Sequence, residues 1–304
     1  MTKRYTFLYF KKPALQLAEL QEGSSMNVGF IGTGTMGSLL IEALLASGAL
    51  KPPQIAISNR TFAKAQALAV RYSGMRAEYT NADAACGSDI VFLCVKPHEF
   101  KKVVDDIKPV LTPSQIVVSI TSPVLISHLE GELNCKVAKV IPSITNQVAS
   151  GASLCIYGTS IQPEDKTTLE QLLSHISEPL RIDEHYTRIV SDLSSCGPAF
   201  IAFLLEQFIH AAVEETGIGR EEAQRVASAM LLGTGRLLTE GGLTPADVQA
   251  RVAVPGGITA KALHLLQRET EGIFNQLIRT THDKYREDLV KVSVAFIGEE
   301  VNGP

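Results

Sequence analysis

Residues 27–37 read NVGFIGTGTMG, an apolar stretch followed by glycines at Gly32, Gly34 and Gly37 and then by the apolar-periodic segment LLIEALLAS. Few folds use such a run. A buried strand must turn sharply into a helix: the first glycine permits the turn, the second lets a ligand approach the backbone, and the third lets helix and strand pack closely. The helix start then offers unpaired N–H groups and a positive dipole to an anion. Gly32, Thr33, Gly34, Thr35, Met36 and Gly37 are therefore expected to hold the pyrophosphate of a dinucleotide.

The rest of the chain supports that context. Strand candidates rich in Val, Ile and Leu recur at 27–32, 54–59, 89–95, 115–121, 136–142, 152–157 and 179–183. Between the earlier ones lie segments with apolar residues at helical spacing, such as TFAKAQALAVRY and EFKKVVDDIKPVL. Near-continuous apolar strands are buried on both faces, so the expected fold is α/β, a Rossmann-like, mainly parallel sheet covered by helices. After about Thr187 the strand pattern stops and helical periodicity continues to Val292. The run AFIAFLLEQFIHAAVEE, 199–215, is apolar almost all round and needs partners on several sides. These patterns predict an N-terminal extension over 1–25, a nucleotide-binding domain over 26–186 and a helical domain with a buried dimer interface over 187–304. Thr244-Pro245-Ala246-Asp247 reads as a helix start.

The end of the second strand bears on cofactor choice. An NAD site usually has an Asp or Glu there for the ribose hydroxyls. Here the residues are Ser58-Asn59-Arg60-Thr61. An arginine can pair with a 2′-phosphate that a carboxylate would repel, so Asn59 and Arg60 favour NADP(H) over NAD(H). Val95-Lys96-Pro97 closes another strand, where the crevice outside the strand ends would expose it to the nicotinamide half.

Composition excludes other classes. Of 304 residues, 45% are hydrophobic and 20% charged, and 28 basic against 32 acidic residues give a net charge of −4, which argues against a nucleic-acid partner. No uninterrupted apolar stretch approaches the roughly 20 residues of a membrane span. The five cysteines include no Cys-x-x-Cys pair and the seven histidines no ligand spacing, so no metal site is expected. Reduced thiols fit a cytoplasmic compartment. Cys196 and His210 read as packing residues, and the charged stretch from Thr280 to Asp288 as the exposed side of a last helix.

Taken in order, VGFIGTGTMG, Asn59-Arg60, CVKP, GPAF and PGGIT resemble pyrroline-5-carboxylate reductase over residues 26–292. The resemblance implies an NAD(P)H enzyme that makes proline by hydride transfer to a C=N bond. It also implies a C-terminal helical dimerisation domain, a site shared between protomers, and dimers that sometimes assemble further. Position by position, it makes Thr259 the residue whose hydroxyl contacts the ring nitrogen. Gly256 and Gly257 become the turn whose N–H groups hold the substrate carboxylate.

Four places depart from the family pattern. Val254 stands where a serine helps bind the carboxylate, a loss worth roughly 1.5–3 kcal/mol, or about 10- to 150-fold in affinity. Ser195-Cys196 replaces Gly-Ser and Phe200 replaces Tyr. Ile141 to Thr145 depart from Pro-Asn-Thr-Pro, and Thr121-Ser122 stands for Ala-Gly. All four lie on the substrate side, and the combined pattern is similar to the divergent late-competence ComER branch. A paralogue that binds NADP(H) with a changed substrate or a non-catalytic role therefore stays open. A β-hydroxyacid dehydrogenase ranks behind it, because Gly197 to Ile201 lack that family's lysine and asparagine.

Overall fold

The structure, a computed structural model, describes residues 26–297. The extension expected over 1–25 lies outside the described residues. Two compact units are present, one formed by residues 26–199 with 276–297 and the other by 200–275.

The first unit is a sheet covered by helices. In chain order it contains β1 (Val28–Ile31), α1 (Thr35–Ala46), β2 (Ile55–Ser58), α2 (Phe62–Arg71), β3 (Arg76–Glu78), α3 (Asn81–Ala85), β4 (Ile90–Leu93) and α4 (Phe100–Ile107). There follow β5 (Ile116–Ser119), α5 (Ile126–Glu130), β6 (Lys136–Ile141), β7 (Ala152–Tyr157), α6 (Pro163–Ser174), β8 (Glu178–Arg181) and α7 (Thr187–Ser191). The eight strands lie in the order β3-β2-β1-β4-β5-β6-β7-β8. Every neighbouring pair is parallel except β6 with β7. All seven strands expected from the sequence are present. The eighth, β3, is the short edge sequence Arg-Ala-Glu, which carries no apolar run.

Strands β1, β2, β4 and β5 are buried along their whole length, as their composition requires. Phe30 on β1 stacks on Phe92 of neighbouring β4, with ring centroids 5.1 Å apart. The chain leaves β1 toward β2 on one side and returns to β4 on the other. This reversal of direction opens a crevice outside the carboxyl end of β1.

A five-residue π-helical segment, Asp192–Cys196, follows α7. Thr187, Ser191 and Asp192 are buried here, and Val292 near the chain end joins the cluster of Val124, Leu129 and Val137. These contacts put 187–199 and the end of the last helix with the sheet, although the composition changes at Thr187.

The second unit is helical, as expected, and accounts for most of α8 (Gly197–Thr216), with α9 (Arg220–Thr239), α10 (Pro245–Val252), α11 (Ile258–Glu269) and the first turn of α12 (Ile273–Ile297). Thr244 caps α10, its Oγ accepting from the Asp247 N–H at 3.1 Å. Only Ile209 of α8 and Ala223 of α9 are buried. Phe203, Leu204, Phe208, Val226, Leu232, Leu265, Leu266 and Phe274 are all exposed on the single chain. His210, expected in a packed interior, is exposed as well and lies 3.3 Å from Glu214. Among the described residues one helical run, Glu184–Thr216, is long and apolar enough to cross a membrane by length and composition. Glu206 and His210 interrupt its apolar letters, so no uninterrupted apolar stretch of that length occurs in it.

Candidate active site

The three glycines behave differently, each for a steric reason. Gly32 has φ +101°, and a Cβ there would lie 2.5 Å from the Cys94 carbonyl oxygen. A Cβ on Gly37 would lie 2.1 Å from the Gly32 carbonyl oxygen. Both positions require glycine for the backbone itself. Gly34 has nothing within 4 Å of its missing Cβ, yet it is the N-cap of α1. The backbone alone does not require glycine there. The cap carries no side-chain hydrogen bond and the first turn no acidic residue, so the positive end of α1 is unopposed. This cradle fits a pyrophosphate.

Thr33 and Asn59 lock the loops around the cradle. Asn59 Nδ2 donates to Thr33 Oγ1 at 2.7 Å, and Asn59 Oδ1 accepts from the Thr61 N–H at 2.9 Å. The asparagine amide is thus spent on holding the β1 and β2 loops together. Arg60 is 82% exposed and its Nη1 lies 2.5 Å from Glu99 Oε1. Glu99 follows Val95-Lys96-Pro97 after β4. The ion pair therefore joins the loops behind the two strands that flank β1. Lys96 is exposed and precedes a short 3₁₀ turn, Pro97–Glu99.

A cleft of about 250 Å³ lies next to the glycine turn. Met36 lines it together with Ile120, Thr121, Ser122, Ile141, Pro142, Ile144, Arg188, Ser191, Ser195 and Cys196. Three of the four segments that depart from the family pattern meet in this one place. Two of them are bonded to each other: Ser195 Oγ donates to the Pro142 carbonyl at 2.7 Å and Ser143 Oγ to the Ser194 carbonyl at 2.8 Å.

The wall behind them is built from residues that no motif singles out. Arg188 Nη2 donates to Asp192 Oδ1 at 2.7 Å and to Cys196 Sγ at 3.2 Å. Thr281 Oγ1 lies 2.7 Å from Asp192 Oδ2, and the Tyr285 ring lies 5.9 Å from the Arg188 guanidinium carbon. Tyr285 also donates to the Ser122 carbonyl at 3.4 Å. One face of the stretch 280–288 is thus built into the cleft wall, where the charge pattern suggested only an exposed helix side. Burial first, and then Glu184, push the Tyr285 phenol above its ordinary value, so it remains a donor.

Lys139 on β6 is fully buried. Its Nζ donates to Glu184 Oε1 at 2.6 Å and to the Ser122 carbonyl at 3.2 Å, and Glu184 Oε1 also accepts from the Ile126 N–H at 2.9 Å. Burial draws the lysine below its ordinary value while Glu184 opposes the shift. Nearby His128 is depressed by burial and then by Lys139. Its Nδ1 accepts from the Leu125 N–H at 3.2 Å, which places the neutral ring's proton on Nε2, toward Ser293 Oγ at 3.3 Å. Among the described residues no carboxylate or histidine lines the cleft, and no cluster of His, Cys, Asp or Glu could hold a metal.

In the helical unit, Val254-Pro255-Gly256-Gly257 forms a tight turn, closed by the Gly257 N–H to the Val254 carbonyl at 2.9 Å. Gly256 has φ +74° and Gly257 is the N-cap of α11, without a side-chain cap. The helix begins at Ile258, so Thr259 is its second residue. Val254 and Ile258 are exposed. The turn has the form of an anion site with no hydroxyl at position 254.

Comparison with known proteins settles the family. The chain is 39% identical over 271 residues to ComE operon protein 4 of Bacillus subtilis, which covers 89% of this chain and 99% of that protein. It is 31% identical over 245 residues to pyrroline-5-carboxylate reductase of Methanosarcina acetivorans, covering 80% of this chain and 90% of that one. The chain belongs to the pyrroline-5-carboxylate reductase family. It is thus an oxidoreductase of the reductase type, as the sequence reading expected. The family model for pyrroline-5-carboxylate reductase dimerisation matches residues 184–288, and that for NADP oxidoreductase, coenzyme F420-dependent, matches 27–123. The fold agrees with that of Plasmodium falciparum pyrroline carboxylate reductase with NADP bound, at a TM-score of 0.77 and 22% identity over 89% of this chain and all of the other. The dimerisation model covers the helices whose apolar side chains the single chain leaves exposed, and homo-oligomer formation accounts for them.

Proposed function

We propose that the chain is an NADP(H)-dependent reductase of a cyclic imino acid, with 1-pyrroline-5-carboxylate as the reference substrate and proline as product. The observation that carries this reading is the cleft, where Met36 of the dinucleotide turn meets Thr121, Pro142 and Ser195 from the substrate-side segments. Residues 26–186 serve as the nucleotide domain, and 187–304 as the dimerisation and substrate domain. The domain pairs with a second copy through its helices, in a cytoplasmic enzyme whose five cysteines are free thiols.

Gly32, Thr33, Gly34, Thr35, Met36 and Gly37 hold the pyrophosphate, with Asn59 fixing the turn. Arg60 takes the 2′-phosphate by exchanging its Glu99 partner for a dianion. Val95, Lys96 and Pro97 border the nicotinamide half. When bound, the cofactor supplies the hydride that adds to the imine carbon, and a proton joins the nitrogen. The backbone N–H groups at Gly256 and Gly257 hold the substrate carboxylate beside Val254, whose methyl groups offer no hydrogen bond. Thr259 holds the ring nitrogen in position, which lets proximity replace a dedicated acid.

The test is NADPH oxidation by purified protein on addition of 1-pyrroline-5-carboxylate, with Thr259→Val as control. Turnover that falls at least tenfold in the variant supports the assignment. A folded protein that binds NADPH and turns over no cyclic imine refutes it. The altered cleft and the 39% identity to ComE operon protein 4 favour a second reading, a paralogue with a changed substrate or a binding role alone. Rescue of a proline auxotroph by this chain excludes the second reading.

A further inference from the structure

We propose that Lys139 is a positioning residue of the cleft: with Tyr285 it fixes the Ser122 carbonyl, and through Glu184 it ties that carbonyl to the helix on the other wall. This rests on the reductase reading, which places hydride transfer beside the cleft.

Lys139 sits on β6 with its side chain fully buried. Side chains alternate along a strand, so it shares a face with Val137 and with Ile141, and Ile141 lines the cleft. Its Nζ donates to the Ser122 carbonyl at 3.2 Å and to Glu184 Oε1 at 2.6 Å. Ser122, in the loop after β5, lines the cleft too. Glu184 opens the 3₁₀ turn Glu184–Tyr186, and its carbonyl accepts from Thr187 Oγ1 at 2.6 Å, at the start of α7. Arg188 and Ser191 of α7 form a further wall. One nitrogen thus joins the strand, the loop and the helix that enclose the same space. Tyr285 repeats the link from α12: its hydroxyl donates to the Ser122 carbonyl at 3.4 Å, and its ring lies 5.9 Å from the Arg188 guanidinium carbon.

Stability is a weak reason for this arrangement. Taking an ammonium out of water is costly, and well-packed apolar residues of similar volume hold a core together as well or better. What the buried pair adds is a fixed distance between segments that are remote in sequence. Hydride transfer responds steeply to such distances, an ångström of misplacement costing about 100-fold in rate.

Steady-state kinetics of the full-length protein with NADPH and 1-pyrroline-5-carboxylate test this, together with alkylation of Cys196 by iodoacetamide read by mass spectrometry. Lys139→Met nearly keeps the volume and leaves Glu184 free to turn toward solvent. It should lower kcat/KM for the imine by about 10- to 100-fold, leave the KM for NADPH within about twofold and keep the melting temperature. Tyr285→Phe removes only the second donor to the same carbonyl. It should lower the same quantity to a smaller extent, and it carries the test if the first variant does not fold. In both variants Cys196, on the cleft wall, should be alkylated several-fold faster relative to Cys86, an exposed thiol that does not line the cleft. Equal losses for imine and NADPH, or losses that track the melting temperature, give Lys139 a merely structural role and overturn the proposal. So do unchanged kinetics and alkylation in the folded variants. Absence of imine turnover by the unaltered protein would remove the reductase reading and leave Cys196 alkylation to decide Lys139 by itself.

Discussion

The Arg60–Glu99 pair makes cofactor choice a question with a computable answer. Arg60 is 82% exposed, so its ion pair is of the surface kind, worth about 0.2–1 kcal/mol. On the proposed role of Arg60, a 2′-phosphate must displace Glu99 before the guanidinium can engage it. Removing the competitor with Glu99→Gln should therefore tighten NADPH binding by about 1.4- to 5-fold. Removing the guanidinium with Arg60→Ala should cost about 1.5–3 kcal/mol in hydrogen bonds to a charged group, or about 10- to 150-fold for NADPH. NADH has no such phosphate and should change less than twofold in either variant. The assay is fluorescence titration of the bound nicotinamide at two ionic strengths, because the Glu99 effect should shrink as salt screens the pair. In the double variant the gain from Glu99→Gln should vanish, which is the coupling a double-mutant cycle reads. Equal losses of NADPH and NADH in Arg60→Ala, or weaker NADPH binding in Glu99→Gln, would refute the reasoning.

The glycines separate binding from folding. Gly37→Ala drives a Cβ toward the Gly32 carbonyl and should destabilise the protein by about 1–3 kcal/mol, whereas Gly34→Ala should keep its melting temperature and lose NADPH affinity. Unaltered affinity in Gly34→Ala would remove the pyrophosphate from that position. His128 stays neutral in the fold while the unfolded chain takes up its proton near the ordinary value of about 6.5. Stability is thus complete above that pH and declines as the pH falls below it, at no more than about 1.4 kcal/mol per pH unit. Denaturant titrations across pH 5–8 should show this slope flattened in His128→Gln. Phe203 and Phe208 on α8 are 60% and 66% exposed on one chain. Replacing both with Glu should lower the mass seen by light scattering, and an unchanged mass would place the interface elsewhere.

The parallel sheet was legible because strands buried on both faces must be written in Val, Ile and Leu, as in the IVFL of β4 and the IVVS of β5. Strand β3 was not, because an edge strand of Arg-Ala-Glu is half solvated and its letters resemble a loop. The glycine turn could be read to single positions, since sterics at Gly32 and Gly37 leave no alternative to glycine. Asn59 was legible as a special residue, but its bonding to Thr33 and Thr61 depends on how two loops meet. Glu99 lies 39 residues from Arg60, and Thr281 lies 89 from Asp192, so neither partner follows from local spacing. Arg188 and Asp192 did carry a local clue, an opposite-charge pair one helical turn apart just before Gly197-Pro198. An i,i+4 pair usually sits on a solvated face, which is why such a pair in the cleft wall gave no warning.

The Lys139–Glu184 pair also restricts how this sequence can drift. Lys139 is sealed in β6, while Glu184 keeps 28% of its side chain in contact with solvent. Losing the glutamate first would strand a buried ammonium, a lesion of about 3–5 kcal/mol. Losing the lysine first leaves a carboxylate that can turn toward water. An apolar replacement of the pair is therefore reachable in one order and nearly closed in the other. A descendant lineage should pass through a lysine-less intermediate, so the two positions share a history with a direction as well as a bond.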